Sequence, residues 1–154
     1  MTSEKRNWFE AWFNSPYYHL LYDHRDEREA RRFISKLITH LNPPPGSRML
    51  DLACGKGRHA AQLAEYGYEV TGLDIAEDSI LAAREQYASP HLQFAVHDMR
   101  QPLPFPQEHF DYVFNLSTSF GYFETEAEHL QTLQHIARSL KRGGTFVMDF
   151  MNAE

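Results

Sequence analysis

The segment DLACGKG at residues 51–57 constrains the fold of this chain more than any other. An apolar run at 48–50 precedes it and a helical pattern at 58–64 follows it, so the segment predicts a strand, a tight glycine turn and a helix. Glycines in such a turn let the backbone approach a ligand closely. The sequence therefore predicts a nucleotide-type binding site at the end of the first strand.

Two more predicted strands are followed by an aspartate. A strand at 68–73 leads into Asp74, where a carboxylate can accept hydrogen bonds from two ribose hydroxyls, and a strand at 92–96 leads into His97 and Asp98. Together with Asp51, these aspartates predict a cleft of negative potential. Such a cleft favours a nucleoside that carries positive charge over a pyrophosphate, and this points to S-adenosylmethionine.

Strand and helix patterns alternate along the rest of the chain. Helices are predicted at 77–87 and at about 126–140, the latter with a Thr125/Glu128 capping box, and strands at 110–115 and 145–150, with the glycines at 143–144 ending the last helix. This alternation predicts an α/β fold in which a three-layer open parallel sheet has helices on both faces. Ligands of such sheets bind at the carboxyl ends of the strands.

Composition limits the domain count and the classes of partner. The chain has 154 residues, a formal net charge of −6 and one cysteine, which predicts one core, a cytoplasmic location, and neither nucleic-acid nor membrane binding. Basic residues between 25 and 36 are interleaved with acidic ones, as on a solvated helix face. The prolines at 43–45 separate a predicted helical cap at 1–42 from a core at 43–154.

Five segments in order resemble the class I S-adenosylmethionine-dependent methyltransferases: LDLACGKGRHAAQLAEYGYEV, TGLDIAEDSI, FAVHDMRQPLPF, FDYVFNLSTSFGYF and LKRGGTFVMDF. The resemblance runs from Arg48 to the end of the chain. It implies a Rossmann-like sheet with strand order 3-2-1-4-5. Family sheets usually carry two further strands, so the resemblance also predicts a chain truncated after the fifth strand, or one whose open edge pairs with another chain, as in a homodimer.

The resemblance also implies which residues bind the cofactor. They follow the first four strands: Asp51, Ala53, Gly55 and Gly57 for the methionine part, Asp74 and Ile75 for the ribose and the adenine face, Asp98 and the Met99 amide for the adenine edge, and Asn115 and Leu116 for the floor beneath the sulfonium. The N-terminal run resembles the cap of small-molecule members. There Tyr17, Tyr22 and Arg25 are candidates to reach the cofactor carboxylate.

Methyl transfer is an in-line displacement that requires alignment and exclusion of water, so no universal catalytic residue is expected. His24, His59, His97 and the tyrosines are candidate bases, although lone histidines are more often structural. Cys54 is expected to be a small packed side chain.

The loop after the fourth strand helps to select the acceptor. It lacks both the Pro-Pro-aromatic pattern of adenine-amino methylation and the Pro-Cys pattern of cytosine-carbon methylation, and no metal-ligand spacing is found. The aromatics Phe120, Tyr122 and Phe123 either line a pocket for a small molecule with an aromatic or apolar part or belong to the core.

Two alternatives come from other functional classes. Residues 55–60 match the dinucleotide pattern G-x-G-x-x-A, which permits an NAD-dependent oxidoreductase, although Asp51 and Asp98 would repel a pyrophosphate. A binding module that senses S-adenosylmethionine without catalysis is the other alternative.

Overall fold

A computed structural model describes residues 27–87, 89–116 and 126–148. Helices and strands alternate within these ranges: α1 (Glu27–Leu41), β1 (Arg48–Leu52), α2 (Arg58–Glu65), β2 (Glu69–Asp74), α3 (Glu77–Gln86), β3 (Leu92–Val96), β4 (Phe110–Asn115), α4 (Glu126–Ser139) and β5 (Leu140–Met148). No helix within them is long and apolar enough to cross a membrane.

The five strands form one parallel sheet in the order β3-β2-β1-β4-β5. This confirms the predicted α/β class and strand order. β1 lies at the centre, where Asp51 pairs with Gly72 of β2 on one side and with Phe114 of β4 on the other. Because β1 is flanked by strands and covered on both faces, a polar side chain in it is removed from solvent.

The core is divided by the sheet into two apolar clusters. Successive side chains of a strand point to opposite faces, so Met49 of β1 joins one cluster while Leu50 and Leu52 join the other. The first cluster includes Ile34 of α1 and the second includes Ile136 of α4, so helices cover both faces. Central strands buried on both faces explain why the sequence has near-continuous apolar runs there.

The helix α1 packs against the core through its buried face. Ala30 and Ile34 are buried, and the Phe33 ring meets the His59 ring of α2 edge-on at 5.4 Å between centroids. The Tyr87 hydroxyl, just after α3, donates a hydrogen bond to Glu27 Oε2 at 2.6 Å. The described part of the predicted cap is therefore held against the two helices that follow β1 and β2.

The strand β5 begins earlier than the sequence predicts. The prediction that the glycines at 143–144 end the last helix is wrong, because α4 ends at Ser139 and β5 starts at Leu140. Leu140 pairs with Phe110 of β4, which requires extended backbone, and the register then shifts before the next pairing. Gly143, with φ of 82°, lies in this irregular stretch, where a left-handed conformation favours glycine. Residues 125 and 149–150, which complete the predicted capping box and strand, lie outside the described residues.

Candidate functional site

The carboxyl ends of the central strands bring the predicted site residues to one edge of the sheet. Leu52 of β1 is in register with Leu73 of β2 and with Asn115 of β4. Asp51 precedes Leu52 and Asp74 follows Leu73, so both aspartates lie one residue along their strands from this line of paired residues. In open parallel sheets this edge is where ligands bind.

Asp74 holds the glycine turn in place. Its Oδ2 accepts a hydrogen bond from the Gly55 amide and its Oδ1 accepts one from the Ala76 amide, both at 2.8 Å. Burial raises the pKa of this carboxyl, and hydrogen bonds from the Ala76, Gly55 and Ile75 amides act in the opposite direction. Each carboxylate oxygen can accept a second hydrogen bond, so the contacts leave capacity for ribose hydroxyls. The sequence indicated the ribose role and missed the support of the turn.

The two glycines of the turn have different surroundings. Gly55 has φ of 59°, and a Cβ added there would meet nothing within 4 Å, so this glycine leaves open space in front of the turn. Gly57 has φ of 86°, and a Cβ there would lie 2.6 Å from Cζ of Phe94. Gly57 is thus required for packing of the turn against β3, while its predicted contact with the cofactor stays a prediction. Ala53 also has a positive φ, of 59°, which is uncommon for a residue other than glycine.

Cys54 is buried within the turn and packs on β2. Its amide donates to the Leu73 carbonyl at 2.9 Å, and a Cβ built on Gly72 would lie 2.9 Å from the cysteine Sγ. Burial, followed by the charges of Asp74 and Asp51, raises the pKa of the thiol well above its usual value. A thiol that stays protonated fits the predicted packing role and not a nucleophile.

Asp51 is a buried acid with an unused oxygen. Its side chain is 2% exposed, and its Oδ2 has no hydrogen-bond partner among the described residues. Burial, with a smaller contribution from the Asp74 charge, raises the pKa of Asp51 to about 8. An unpartnered buried acceptor costs about 1–3 kcal/mol of stability, so it is retained where a ligand supplies the missing partner. A cation bound at this edge of the sheet would supply it.

Asp98 is already paired with a cation. The Arg100 guanidinium donates to both of its carboxylate oxygens, with Nε to Oδ1 at 2.8 Å and Nη2 to Oδ2 at 2.7 Å, and the Arg100 side chain is only 4% exposed. Arg100 therefore balances the charge of one of the three aspartates that the sequence predicts at the cleft, and burial raises the pKa of another, Asp51. The Asp-x-Arg spacing was the available sequence signal for this pair.

The remaining predicted contacts surround these aspartates. Ile75 is half-buried, Leu116 is buried, and the fully buried Asn115 donates from Nδ2 to the Met99 Sδ at 3.7 Å. The His97 amide donates to the Asp74 carbonyl at 2.9 Å, and His97 Nε2 is buried with no partner among the described residues. The predicted floor, adenine-edge and ribose residues thus lie at or just after the carboxyl ends of the strands, at one edge of the sheet.

Several candidates lie outside the described residues: Tyr17, Tyr22, His24, Arg25, Phe120, Tyr122 and Phe123. Their roles stay predictions. In the part of the chain that the structure describes, no group of three or more His, Cys, Asp or Glu side chains could hold a metal ion.

Comparison with known proteins identifies the relatives of this chain. The profile of a family described as "Methyltransferase domain" matches residues 49–144. A putative methyltransferase, YqeM of Bacillus subtilis, is 36% identical over 107 residues, which are 69% of this chain and 43% of that protein. A demethylmenaquinone methyltransferase of Lysinibacillus sphaericus is 35% identical over 114 residues, or 71% of this chain and 47% of that protein.

A solved structure shares the fold of the described sheet. The PH0226 protein of Pyrococcus horikoshii matches with a TM-score of 0.67 and 34% identity, covering 94% of this chain and 64% of that chain. This chain spans about half the length of the two curated relatives, 43% and 47%.

Proposed function

The chain belongs to the methyltransferase-domain family, whose cofactor is S-adenosylmethionine, and from this premise we propose that the protein transfers the methyl group of that cofactor to a small-molecule acceptor. One observation carries the proposal. At the carboxyl edge of the sheet, the buried Asp51 has an oxygen without a partner among the described residues, beside a turn in which Gly55 leaves open space. A cationic nucleoside fits this combination of spare acceptor and open backbone.

The cofactor, when bound, supplies a methyl carbon activated by its positively charged sulfur. The proposed contribution of the chain is to bind and orient it. Asp74, fixed by the Gly55 and Ala76 amides, would accept the ribose hydroxyls, and Ile75 would pack against the adenine. The Asp98 carboxylate and the Met99 amide would meet the adenine edge.

Asp51, Ala53 and the two glycines of the turn would hold the methionine part. Buried Asn115 and Leu116 would form the floor under the reacting centre and exclude water from it. Tyr17, Tyr22 and Arg25 of the proposed cap at 1–42 would reach the cofactor carboxylate, and the core would extend over 43–154. The general base is left unassigned.

The proposed acceptor is a small molecule with an aromatic or apolar part. The relative named for demethylmenaquinone supports this class, as does a formal net charge of −6, which disfavours nucleic acid and anionic membranes as partners. We also propose a cytoplasmic protein, since a single cysteine forms no internal disulfide, and a homodimer as the candidate oligomer.

Calorimetric titration with S-adenosylmethionine, S-adenosylhomocysteine and NAD tests the cofactor assignment. We expect binding of the first two in the micromolar range and none of NAD. Transfer of a radiolabelled methyl group to pools of small molecules then tests the activity of the whole protein. Tight cofactor binding without transfer to any pool would favour the alternative of a non-catalytic S-adenosylmethionine-binding module, and binding of NAD would favour an oxidoreductase.

A further inference from the structure

Within residues 27–87, 89–116 and 126–148, no positively charged side chain acts on the pKa of Asp51. Its neighbours in the sheet are Gly72 on β2 and Phe114 on β4. The described titratable group that raises its pKa electrostatically is Asp74, at the end of β2, and the pKa of the Cys54 thiol, in the turn, is in turn raised by Asp51. No described lysine, arginine or histidine contributes to its pKa, so burial and like charge both favour the neutral acid.

Asp51 and Asp74 differ in how their oxygens are satisfied. Asp74 accepts two backbone hydrogen bonds, which stabilise a carboxylate, whereas Oδ2 of Asp51 accepts none from the described residues. Because the two acids lie at the same edge of the sheet, the ionised form of one disfavours the ionised form of the other. The amides therefore favour Asp74 as the carboxylate of the pair and Asp51 as the protonated partner.

We infer that Asp51 is a neutral acid in the cofactor-free protein and becomes a carboxylate when the positively charged part of S-adenosylmethionine binds, so that each binding event releases one proton to solvent. The O–H bond of the Asp51 carboxyl breaks, its proton goes to the buffer, and the carboxylate then pairs with the cation. No covalent bond to the cofactor forms. The inference rests on the proposed function, since it requires that this site bind the cofactor.

The size of the effect follows from the acid-base equilibrium. With a pKa of about 8, about nine in ten Asp51 side chains carry a proton at pH 7, so binding should release about 0.9 proton if the bound form is fully ionised. By linkage, the dissociation constant should fall by about tenfold from pH 6 to pH 7 and by less per pH unit above pH 7. Above about pH 8 the α-amino group of the ligand loses its own proton, so the affinity should pass through a maximum.

Calorimetry in buffers of different ionisation enthalpy measures the released protons directly. We expect a release close to one proton for S-adenosylmethionine and for S-adenosylhomocysteine, which keeps the ammonium group. The uncharged nucleoside 5′-methylthioadenosine lacks both the ammonium and the sulfonium, and we expect it to bind with almost no proton release. If the release is the same for all three ligands, the cation is not its cause and the inference is overturned.

Three variants identify the source of the proton. Asp51→Asn should abolish the release, whereas Cys54→Ser should keep it, because the raised pKa of the thiol keeps that group protonated throughout. Asp74→Asn should keep a smaller release, since burial is the larger cause of the raised pKa of Asp51 and the Asp74 charge the smaller. If proton release survives in Asp51→Asn and disappears in Asp74→Asn, the proton comes from Asp74 and the inference is overturned.

The wild-type titration separates the two proposals even if a variant does not fold. Binding of S-adenosylmethionine with no proton release at pH 7 refutes the charge change of Asp51 and leaves the cofactor assignment intact. Absence of binding at every pH from 6 to 9 refutes the cofactor assignment itself.

Discussion

Replacing Asp51 by asparagine should change how the stability of the cofactor-free protein depends on pH. Between pH 4 and pH 8 the folded chain holds a proton on Asp51 that the unfolded chain has lost, because the pKa is raised from 3.8 to about 8. The stability contributed by this group is therefore fully present below about pH 4 and is lost progressively as the pH rises from there to about 8. Asparagine has the same shape and does not ionise, so the variant lacks this dependence.

The magnitude follows from linkage. One proton bound only by the folded state gives a slope of about −1.4 kcal/mol per pH unit, so from pH 5 to pH 7 the wild-type chain should lose about 3 kcal/mol relative to Asp51→Asn. That is a large fraction of the 5–15 kcal/mol that stabilises an ordinary domain, so the difference should be readily measurable. At pH 7 the variant should be the more stable protein, while its affinity for S-adenosylmethionine should be lower.

Urea unfolding at pH 5, 6 and 7, followed by circular dichroism, gives the free energy of unfolding of both proteins. The difference between them at each pH cancels the contributions of the other titratable groups. The exposed Asp78→Asn variant in the first turn of α3 controls for the removal of a carboxylate as such. If the free energies of wild type and Asp51→Asn run parallel from pH 5 to pH 7, Asp51 is ionised in the folded protein and the reasoning is refuted.

Four further substitutions test the turn and the strand ends. Gly57→Ala should destabilise the fold by about 1–3 kcal/mol in thermal or urea unfolding, since its Cβ would lie 2.6 Å from the Phe94 ring at a φ of 86°, whereas Gly55→Ala, which meets no atom within 4 Å, should cost less. An equal cost at both positions would contradict the packing role of Gly57. Asp74→Ala should weaken S-adenosylmethionine binding by about 1–3 kcal/mol through loss of charge-assisted hydrogen bonds, and unchanged affinity in calorimetry would reject the ribose assignment. Arg100→Met should lower stability by about 1–3 kcal/mol because it leaves a partly buried carboxylate without its cation, and an unfolding curve that matches the wild type would show that solvent screens this pair.

The fold could be predicted from the sequence where local pattern and tertiary structure agree. The bounds of β3 and β4 match the predicted ones because each is a short segment rich in apolar and aromatic residues. The prediction failed at β5, where pairing of Leu140 with Phe110 of β4 ends α4 before the glycine pair. A contact between residues so distant along the chain is not visible in a local pattern.

The candidate site shows the same limit in its electrostatics. The sequence indicated three aspartates at strand ends, and the structure brings them to one edge of the sheet. Their charge states depend on burial and on partners that lie elsewhere in the chain, as with Asp74 and the Gly55 amide. A count of acidic residues therefore overestimates the negative charge of the cleft. The cofactor that the count indicated, S-adenosylmethionine, is nevertheless the cofactor of the family.

The different surroundings of Asp51 and Asp74 explain how a site with several aspartates can attract a cation without carrying all of their charges. A cleft of several free carboxylates would repel itself and destabilise the fold before any ligand arrived. Here backbone amides hydrogen-bond to the aspartate that supports the turn, whereas the aspartate at the centre of the sheet, inferred to be neutral, has an oxygen without a partner among the described residues. The full attraction for a cation then develops only when a cation is present to compensate it. Such a site discriminates by charge while limiting the electrostatic cost in the empty protein, at the expense of one unsatisfied buried acceptor.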